Sequence, residues 1–364
     1  MNRSTTLLIA ISILLLTGCN QSPTAEQLDP TNLKLADYEP KSIFVLEENH
    51  PTHAKYPVID MHSHVYVETA EEVQKWVKTM DANNIEKVIV YTYSYGEEFD
   101  KIYDIYMSVA PDRFELWCGF DMSSWGTPDY PAKAVAELER CFKKGAKGIG
   151  ELSDKGFGDK NSQKVKKPGL HYDADEFVPL FSKCAELGMP VNIHFADPIW
   201  MYEPMDNHND GYMNAYNWKI DPTTPDLYDF DDLMASAENT IVKNPNTTFI
   251  FCHYINLSHD YERLGAFLDR NPNLWIDNSA RFDEVAPTPR ATKKFYEKYS
   301  DRILFGTDND PEDSMYDHNW RIYETEDEHF YSHSYHWALY GLGLSDDILQ
   351  KVYHDNALQL LNNR

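Results

Sequence analysis

Runs of apolar residues with the length of a β-strand alternate with runs of helical periodicity through most of this 364-residue chain. A strand buried on both faces reads as a short continuous apolar run, whereas a helix repeats its apolar residues every three or four positions. Eight strand-like runs follow Lys55, and helical sequence comes after each of them. They cover residues 57–65, 87–91, 114–120, 147–152, 190–195, 248–253, 274–278 and 303–308. This pattern predicts an α/β protein, a single (β/α)8 TIM barrel over residues 55–364.

The alternation is interrupted once, between Asp197 and Asp231. This segment is rich in Trp and Tyr among Asp and Asn residues, too aromatic for a disordered linker and too irregular for a β/α unit. We interpret it as an ordered aromatic and acidic insertion after strand 5, which lies over the strand ends and shapes a pocket. A loop that serves packing or dimer formation is the alternative.

The first residues have the composition of an export signal. Arg3 precedes an apolar run over residues 7–16, which is too short to span a bilayer. The sequence Leu16-Thr17-Gly18-Cys19 resembles the lipobox of a bacterial lipoprotein. This resemblance implies that residues 1–18 are removed as a signal peptide and that Cys19 carries a lipid, which anchors an exported protein to the periplasmic or surface face of a bacterial membrane. An ordinary secretory peptide with an incidental Cys19 is the alternative. Residues 19–54 then read as a tether and N-terminal extension.

The net charge of −26 limits the partners that the protein can bind. A strongly acidic chain repels nucleic acids and anionic membrane surfaces, so neither is expected as a partner beyond the lipid anchor. An anionic small-molecule substrate stays possible, because a bound divalent cation can dominate the field within a pocket. The sequence indicates no oligomeric state.

Four further cysteines lie in the predicted barrel: Cys118, Cys141, Cys184 and Cys252. Two fall in predicted strands and two in predicted helices, and none has the CxxC spacing of a redox or zinc motif. We expect buried thiols that pack as small apolar side chains, with a disulfide left open as the alternative.

Polar side chains recur where the predicted strands end. His62 and His64 are two residues apart on strand 1, so both imidazoles lie on one face and can reach the same ion. In a (β/α)8 barrel the carboxyl ends of all strands meet at one mouth. Imidazole and carboxylate groups there suit a divalent ion such as Zn2+. The other polar residues at these ends are Glu151, His194, His253 and Asp308.

Six motifs along the chain are similar to those of the amidohydrolase superfamily of metal-dependent barrels, within the branch called amidohydrolase family 2. They cover nearly the whole predicted barrel. They are IDMHSH at 59–64, GIGEL at 148–152, PVNIH at 190–194, FCH at 251–253, FGTD at 305–308 and YHDNALQLL at 353–361.

The resemblance implies a role for each strand-end residue. The ligands of a divalent metal, with Zn2+ as our expectation, would be His62, His64, His194 and Asp308. Asp308 would also take a proton from a metal-activated water molecule and return it to the leaving group. His253 would polarise the substrate carbonyl group or donate a hydrogen bond to it.

Glu151 has two interpretations. In binuclear relatives a residue at this position bridges two metals, so Glu151 could be a ligand of a second ion. Alternatively, it orients a ligand histidine beside a single metal. We favour one ion, with two as the alternative.

Three residues outside the motifs are candidates for substrate binding. Arg281 follows strand 7 and could bind a substrate carboxylate with two hydrogen bonds, or could instead pair with Asp283 or Glu284. Trp200 and Tyr202, both in the insertion, are expected to line the pocket.

These observations predict an enzyme: a metal-dependent hydrolase that cleaves an amide, ester or lactone bond in a small molecule. A metal-dependent decarboxylase of a small aromatic or unsaturated carboxylic acid would use the same residues and is the first alternative. A surface lipoprotein that binds without catalysis is the second. All of the expected metal positions are filled, which argues against a barrel that has lost its activity.

Overall fold

The computed structural model describes residues 29–158, 170–332 and 335–363. These residues form two compact units, which divide between Glu39 and Pro40. The first contains a short 3-10 turn at Leu35–Asp37. The second contains all eight parallel strands, arranged in a three-stranded sheet, β1-β2-β3, and a five-stranded sheet, β4 to β8 in order. The strands are β1 (Val58–His64), β2 (Ile85–Tyr91), β3 (Phe114–Trp117), β4 (Ile149–Asp154), β5 (Val191–Phe195), β6 (Phe249–Phe251), β7 (Leu274–Asp277) and β8 (Ile303–Leu304).

Backbone hydrogen bonds join the two sheets at both of their edges. Between β3 and β4, the Cys118 N–H donates to the Gly148 carbonyl and the Gly150 N–H donates to the Cys118 carbonyl, both at 3.1 Å. Between β8 and β1, the Met61 N–H donates to the Phe305 carbonyl at 2.8 Å. Consecutive strands are therefore neighbours all the way round. The predicted (β/α)8 barrel is confirmed.

Helices follow the strands and place their apolar faces on the barrel. In α1 the capping box between Thr69 and Glu72 fixes the first turn, and Val73, Trp76 and Met80 form the buried face. The helices are α1 (Ala70–Ala82), α2 (Gly96–Val109), α3 (Tyr130–Lys144), α4 (Val178–Leu187), α5 (Tyr212–Ala215), α6 (Phe230–Lys243), α7 (Tyr261–Arg270), α8 (Phe282–Val285), α9 (Pro289–Tyr299), α10 (Asp313–Glu324), α11 (Asp346–Gln350) and α12 (Asn356–Asn362).

Three strands end two or more residues earlier than their apolar sequences predict, and β3 is one of them because it stops at Trp117. β6 stops at Phe251, and residues 253–256 then adopt positive φ angles of 54–59°. β8 stops at Leu304, and Asp308 has a φ of 54°. A left-handed backbone cannot continue a strand. The helix α10 has no counterpart in the predicted pattern, and a π-helical turn at Lys351–Asp355 separates α11 from α12.

The four barrel cysteines, Cys118, Cys141, Cys184 and Cys252, are buried free thiols, as predicted. The signal peptide at residues 1–18 and the lipid-carrying Cys19 lie outside the described residues, and both stay predictions. Within the described ranges, no helix has both the length and the apolar character that a membrane span requires.

Residues 40–54, which we assigned to the N-terminal extension, are part of the second compact unit. Their main attachment is Asp327, whose side chain is 1% exposed. Its carboxylate accepts hydrogen bonds from the Asn49 N–H at 2.9 Å, from the Asn49 amide at 2.6 Å and from Arg321 Nε at 2.7 Å. One buried carboxylate thus connects this segment to the end of α10.

Replacing Asp327 with alanine is expected to lower the free energy of unfolding by about 3 kcal/mol, because three donors lose a buried acceptor. Burial alone would raise the pKa of Asp327, but the hydrogen bonds from Asn49 and the charge of Arg321 lower it. The stabilisation is therefore complete above the unfolded pKa of about 3.9 and is lost as the pH falls through the native value. Urea denaturation at pH 7 and below pH 4 measures both effects. The exposed pair between Asp346 and Lys55 is the control, and D346A should leave the free energy of unfolding nearly unchanged. Equal losses for the two variants would contradict this account.

Candidate metal centre

The two histidines of β1 lie side by side at the barrel mouth. His62 is fully buried and His64 is nearly so, and their ring centroids are 5.2 Å apart. The strand is held against β8 by Asp60, whose carboxylate accepts hydrogen bonds from the Thr307 hydroxyl at 2.6 Å and the Thr307 N–H at 3.1 Å. Burial raises the pKa of Asp60 to about 6, although these hydrogen bonds oppose the shift. The predicted placement of both imidazoles on one face is confirmed.

The His62 ring is oriented from behind, by the end of β7. Its Nδ1 lies 2.9 Å from Asp277 Oδ2 and 3.0 Å from the Ser279 hydroxyl. A carboxylate can only accept a hydrogen bond, so Nδ1 carries a proton and Nε2 faces the barrel mouth. Nε2 is buried, has no hydrogen-bond partner among the described residues, and lies 3.7 Å from Asp308 Oδ1. A buried nitrogen without a partner, facing a carboxylate, fits a metal ligand.

His253 has the same orientation, although it follows a different strand. The left-handed turn at residues 253–256 places its N–H 3.0 Å from Asp277 Oδ1 and its Nδ1 2.9 Å from the Ser279 carbonyl oxygen. Since a carbonyl only accepts, Nδ1 is again the protonated nitrogen. Nε2 lies 3.7 Å from both Glu151 Oε1 and Asp308 Oδ2.

His64, Asp308 and Glu151 complete this side of the site. The Nε2 atom of His64 lies 2.9 Å from Asp308 Oδ1 and 3.6 Å from Glu151 Oε2. Tyr93 connects the two groups, because its hydroxyl donates to Glu151 Oε2 at 2.8 Å and lies 3.1 Å from His64 Nε2. Tyr93 follows β2 with a φ of 53°, a backbone conformation that aromatic residues rarely adopt.

His194 at the end of β5 lies between two carboxylates. Its Nδ1 is 2.7 Å from Glu151 Oε1, and its Nε2 is 3.2 Å from Asp197 Oδ1. Lys155 Nζ pairs with the same Asp197 oxygen at 2.8 Å. Asp197 thus supports the ring from the insertion, and Nδ1 is the nitrogen that faces the strand-end residues.

Charge pairing shifts the ionisation of the buried groups. Burial alone would lower the pKa of His62, but Asp277 and Asp308 raise it to about 10. Burial and the charge of Arg281 lower the pKa of His253 to about 4. Burial would raise the pKa of Asp308, but the charges of His62 and His64 hold it well below its usual value. The carboxylates therefore favour a positive charge at His62 Nε2, where a proton and a metal ion would compete.

Ligand atoms of the strand-end residues form overlapping groups, each with all of its atoms within 4.8 Å of one another. Imidazole nitrogens and carboxylate oxygens are the donors that Zn2+ and similar ions take at about 2.0–2.2 Å. His194 shares a group with Glu151 and His253, whereas the predicted set placed it with His62, His64 and Asp308. One group contains Glu151, His194, Cys252 and His253, and a second contains His62, His253 and Asp308. A third contains His62, His64 and Glu151, and a fourth contains His62, Cys252 and Asp277.

A cavity of about 270 Å³, hereafter the site cavity, opens beside these residues. His194, His253 and Asp308 form its floor, and two cationic side chains, Lys155 and Arg281, lie in its wall. The insertion after β5 contributes further lining, as predicted for a segment over the strand ends. Its lining residues are Asp197, Pro198, Met201, Asn214 and Trp218.

The three predicted substrate-binding residues have different positions. Arg281 is in the wall of the site cavity, where Nε and Nη2 donate to Asn256 Oδ1 and Nε lies 3.5 Å from Glu284. The Tyr202 hydroxyl accepts from the Asp197 N–H and donates to the Lys155 carbonyl, both at 3.2 Å, so it supports residues of the cavity wall. Trp200 lies in the wall of a neighbouring cavity.

Four residues that organise the site were not predicted from the sequence. Asp277 ends β7, so the rule that selected His194 would have selected it too. Tyr93 and Lys155 follow the ends of β2 and β4 and were not considered because they are not usual metal ligands. Asp197 stands three residues after His194, but no periodicity marks it within the insertion.

Comparisons with known proteins identify the family and the fold. Residues 119–362 match the family model described as amidohydrolase. No curated protein matches the chain. A 2,6-dihydroxybenzoate decarboxylase from Rhizobium is 18% identical, with a TM-score of 0.52 over 85% of this chain and 99% of that one. A 5-carboxyvanillate decarboxylase from Sphingomonas paucimobilis is 12% identical, with a TM-score of 0.51 over 85% and 99% of the two chains. A 4-oxalomesaconate hydratase from Rhodopseudomonas palustris is 15% identical, with a TM-score of 0.51 over 84% and 95%. At these identities the likeness concerns the fold alone.

Proposed function

The chain belongs to the amidohydrolase family, and we propose on that basis that it is a metal-dependent hydrolase that cleaves an amide, ester or lactone bond in a small molecule. The observation that carries the proposal is the buried Nε2 of His62, which has no hydrogen-bond partner among the described residues and faces Asp308. His62, His64, His194 and Asp308 would hold the ion. Glu151 would either orient His194 or bind a second ion.

A divalent cation in this position supplies Lewis acidity, which polarises a carbonyl group and lowers the pKa of a water molecule. The chain supplies the proton transfer. Asp308 faces three imidazoles, His62, His64 and His253, and lines the site cavity, so its carboxylate can take a proton from water and deliver it to the leaving group. Asp277 and Ser279 keep the rings of His62 and His253 in a fixed orientation, which limits the reorganisation that the reaction requires.

The wall of the site cavity favours an anionic substrate. Of the two cationic side chains that line it, Lys155 is paired with Asp197 at 2.8 Å, so Arg281 is the cation that a substrate anion would meet. Arg281 donates two hydrogen bonds to the side-chain oxygen of Asn256. Because this amide is neutral, it compensates the positive charge of Arg281 less than a carboxylate partner would. Glu284 is further away, at 3.5 Å. A carboxylate on the substrate would complete the pairing.

A metal-dependent decarboxylase of a small aromatic or unsaturated acid is the second candidate. Arg281 favours it as well, because a carboxylate bound beside the strand-end residues would lie next to Asp308, which could pass a proton from water to the carbon that loses CO2. Two of the structural neighbours are decarboxylases of aromatic acids, although their likeness concerns the fold alone.

Isotope labelling separates the candidates. Metal-replete protein is incubated with a panel of lactones, aryl esters, amides and aryl carboxylates in H2(18)O and, separately, in D2O. A hydrolase incorporates one solvent oxygen into the product acid and releases no CO2 from the panel. A decarboxylase releases CO2 and places solvent deuterium on carbon. Metal bound in full, with no turnover across the panel, would refute both and favour the binding lipoprotein.

A further inference from the structure

A second cavity, of about 400 Å³, adjoins the site cavity; we call it the side cavity. Glu284 lines both cavities. Tyr335 in the wall of the site cavity stacks on Trp337 in the wall of the side cavity, with ring centroids 4.6 Å apart. The two cavities therefore share part of their walls.

Aromatic rings dominate one wall of the side cavity. Trp200 from the insertion packs on Trp337 with centroids 5.6 Å apart and planes inclined by 49°. The Trp337 Nε1–H donates to the Asp283 carbonyl at 3.0 Å, so the polar edge of this ring has its partner. Gly211 supports Trp200 closely, since a Cβ added there would lie 2.3 Å from the Trp200 ring. The backbone thus holds Trp200 in a defined position beside Trp337.

Polar side chains line the rest of this cavity: Asp210, Ser258, His259, Glu284, Thr288 and His336. The buried Nδ1 of His336 has no hydrogen-bond partner among the described residues. Glu284 accepts from the Tyr335 hydroxyl at 3.1 Å and from the Ser258 hydroxyl at 3.5 Å. Aromatic rings and polar groups that converge on one concave space are typical of a small-molecule site. The unpartnered nitrogen of His336 offers one hydrogen bond to a ligand.

We propose that the side cavity binds a planar aromatic group of the substrate, a few bonds away from the carbonyl or carboxylate group that reacts in the site cavity. A volume of about 150 Å³ already accommodates a benzene ring, so the side cavity has room for one ring with substituents. The inclined rings of Trp200 and Trp337 offer faces for offset or edge contacts with such a ring. The identity of the reacting group depends on the proposed function, but binding in the side cavity can be measured without turnover.

Calorimetry with two probes, butanoate and 4-phenylbutanoate, tests this proposal on the metal-replete full chain. Both probes carry the carboxylate, and the second adds the ring. Burial of a phenyl group should make 4-phenylbutanoate bind about tenfold more tightly or better. W337L should abolish this advantage and leave the affinity for butanoate unchanged. G211A, which displaces Trp200 without changing Trp337, should reduce the advantage as well.

The control is Y216L, which removes an exposed aromatic residue of the same insertion that is not part of either cavity wall. It should leave both affinities unchanged. Equal affinity of the wild type for the two probes, or an advantage that survives in both W337L and G211A, would overturn the proposal. If the protein shows no turnover but still binds 4-phenylbutanoate more tightly than butanoate, and this difference depends on Trp337, the proposed function is refuted and the side-cavity proposal stands.

Discussion

Replacing Asp308 with asparagine is expected to lower kcat/KM by about 10³-fold or more, with the fold retained. The amide has the size of the carboxylate but cannot accept the proton that the reaction releases, and it loses the charge that faces His62, His64 and His253. Asparagine tolerates the φ of 54° at this position, so the turn after β8 should stay intact. Steady-state kinetics on the best substrate of the panel measures the loss of kcat/KM, and thermal unfolding shows whether the fold is retained.

D310N is the matched control for this variant. Asp310 is an exposed carboxylate two residues along the same loop, and its replacement should leave kcat/KM unchanged. Activity of D308N within tenfold of the wild type would contradict the role of Asp308 in proton transfer, provided that the unfolding midpoints of the two proteins agree.

Replacing His194 with alanine is expected to lower metal affinity more than about 100-fold and to abolish turnover at ambient metal concentrations. The variant removes the nitrogen that faces Glu151 and leaves Glu151 Oε1 without its partner at 2.7 Å. The fold should survive, because the apolar core extends around all eight strands and does not depend on this ring. Competition with a chromophoric chelator gives the affinity, and circular dichroism reports the fold.

H354A provides a histidine control far along the chain. His354 is paired with Glu86 and Asp355 near the surface, so its loss should change neither metal content nor activity. Wild-type activity in H194A would show that His194 is not required. It would direct attention to the groups that lack this residue, such as His62, His253 and Asp308 or His62, His64 and Glu151.

Much of this architecture is local in sequence and could be predicted. Apolar runs of strand length alternating with amphipathic helices specify β/α units, and consecutive parallel units have few alternatives to a barrel once there are eight of them. The positions of His62 and His64 follow from the two-residue period of a strand. The strand ends of a barrel meet at one mouth. The order of the strands along the chain was therefore enough to place Glu151, His253 and Asp308 beside these two histidines.

The features that could not be predicted depend on contacts between distant parts of the chain. The backbone after Cys252 turns left-handed over residues 253–256, although none of these residues is glycine, and only the hydrogen bonds from His253 to Asp277 and from Asn256 to Phe195 and Ala196 show why. Asp197 belongs to a segment without helical or strand periodicity, so no sequence pattern predicted its contact with His194. The grouping of His194 with Glu151 and His253 likewise depends on side-chain orientation, which strand order does not give.

Reconstitution of the metal-free protein tests the central claim, that the strand-end residues hold a divalent cation on which turnover depends. The protein is dialysed against a chelator, and bound metal and turnover are then measured together as Zn2+ is added back. We predict that turnover disappears with the metal and returns in proportion to bound Zn2+, saturating at a single ion per chain. Full turnover in protein from which all metal has been removed would contradict the account.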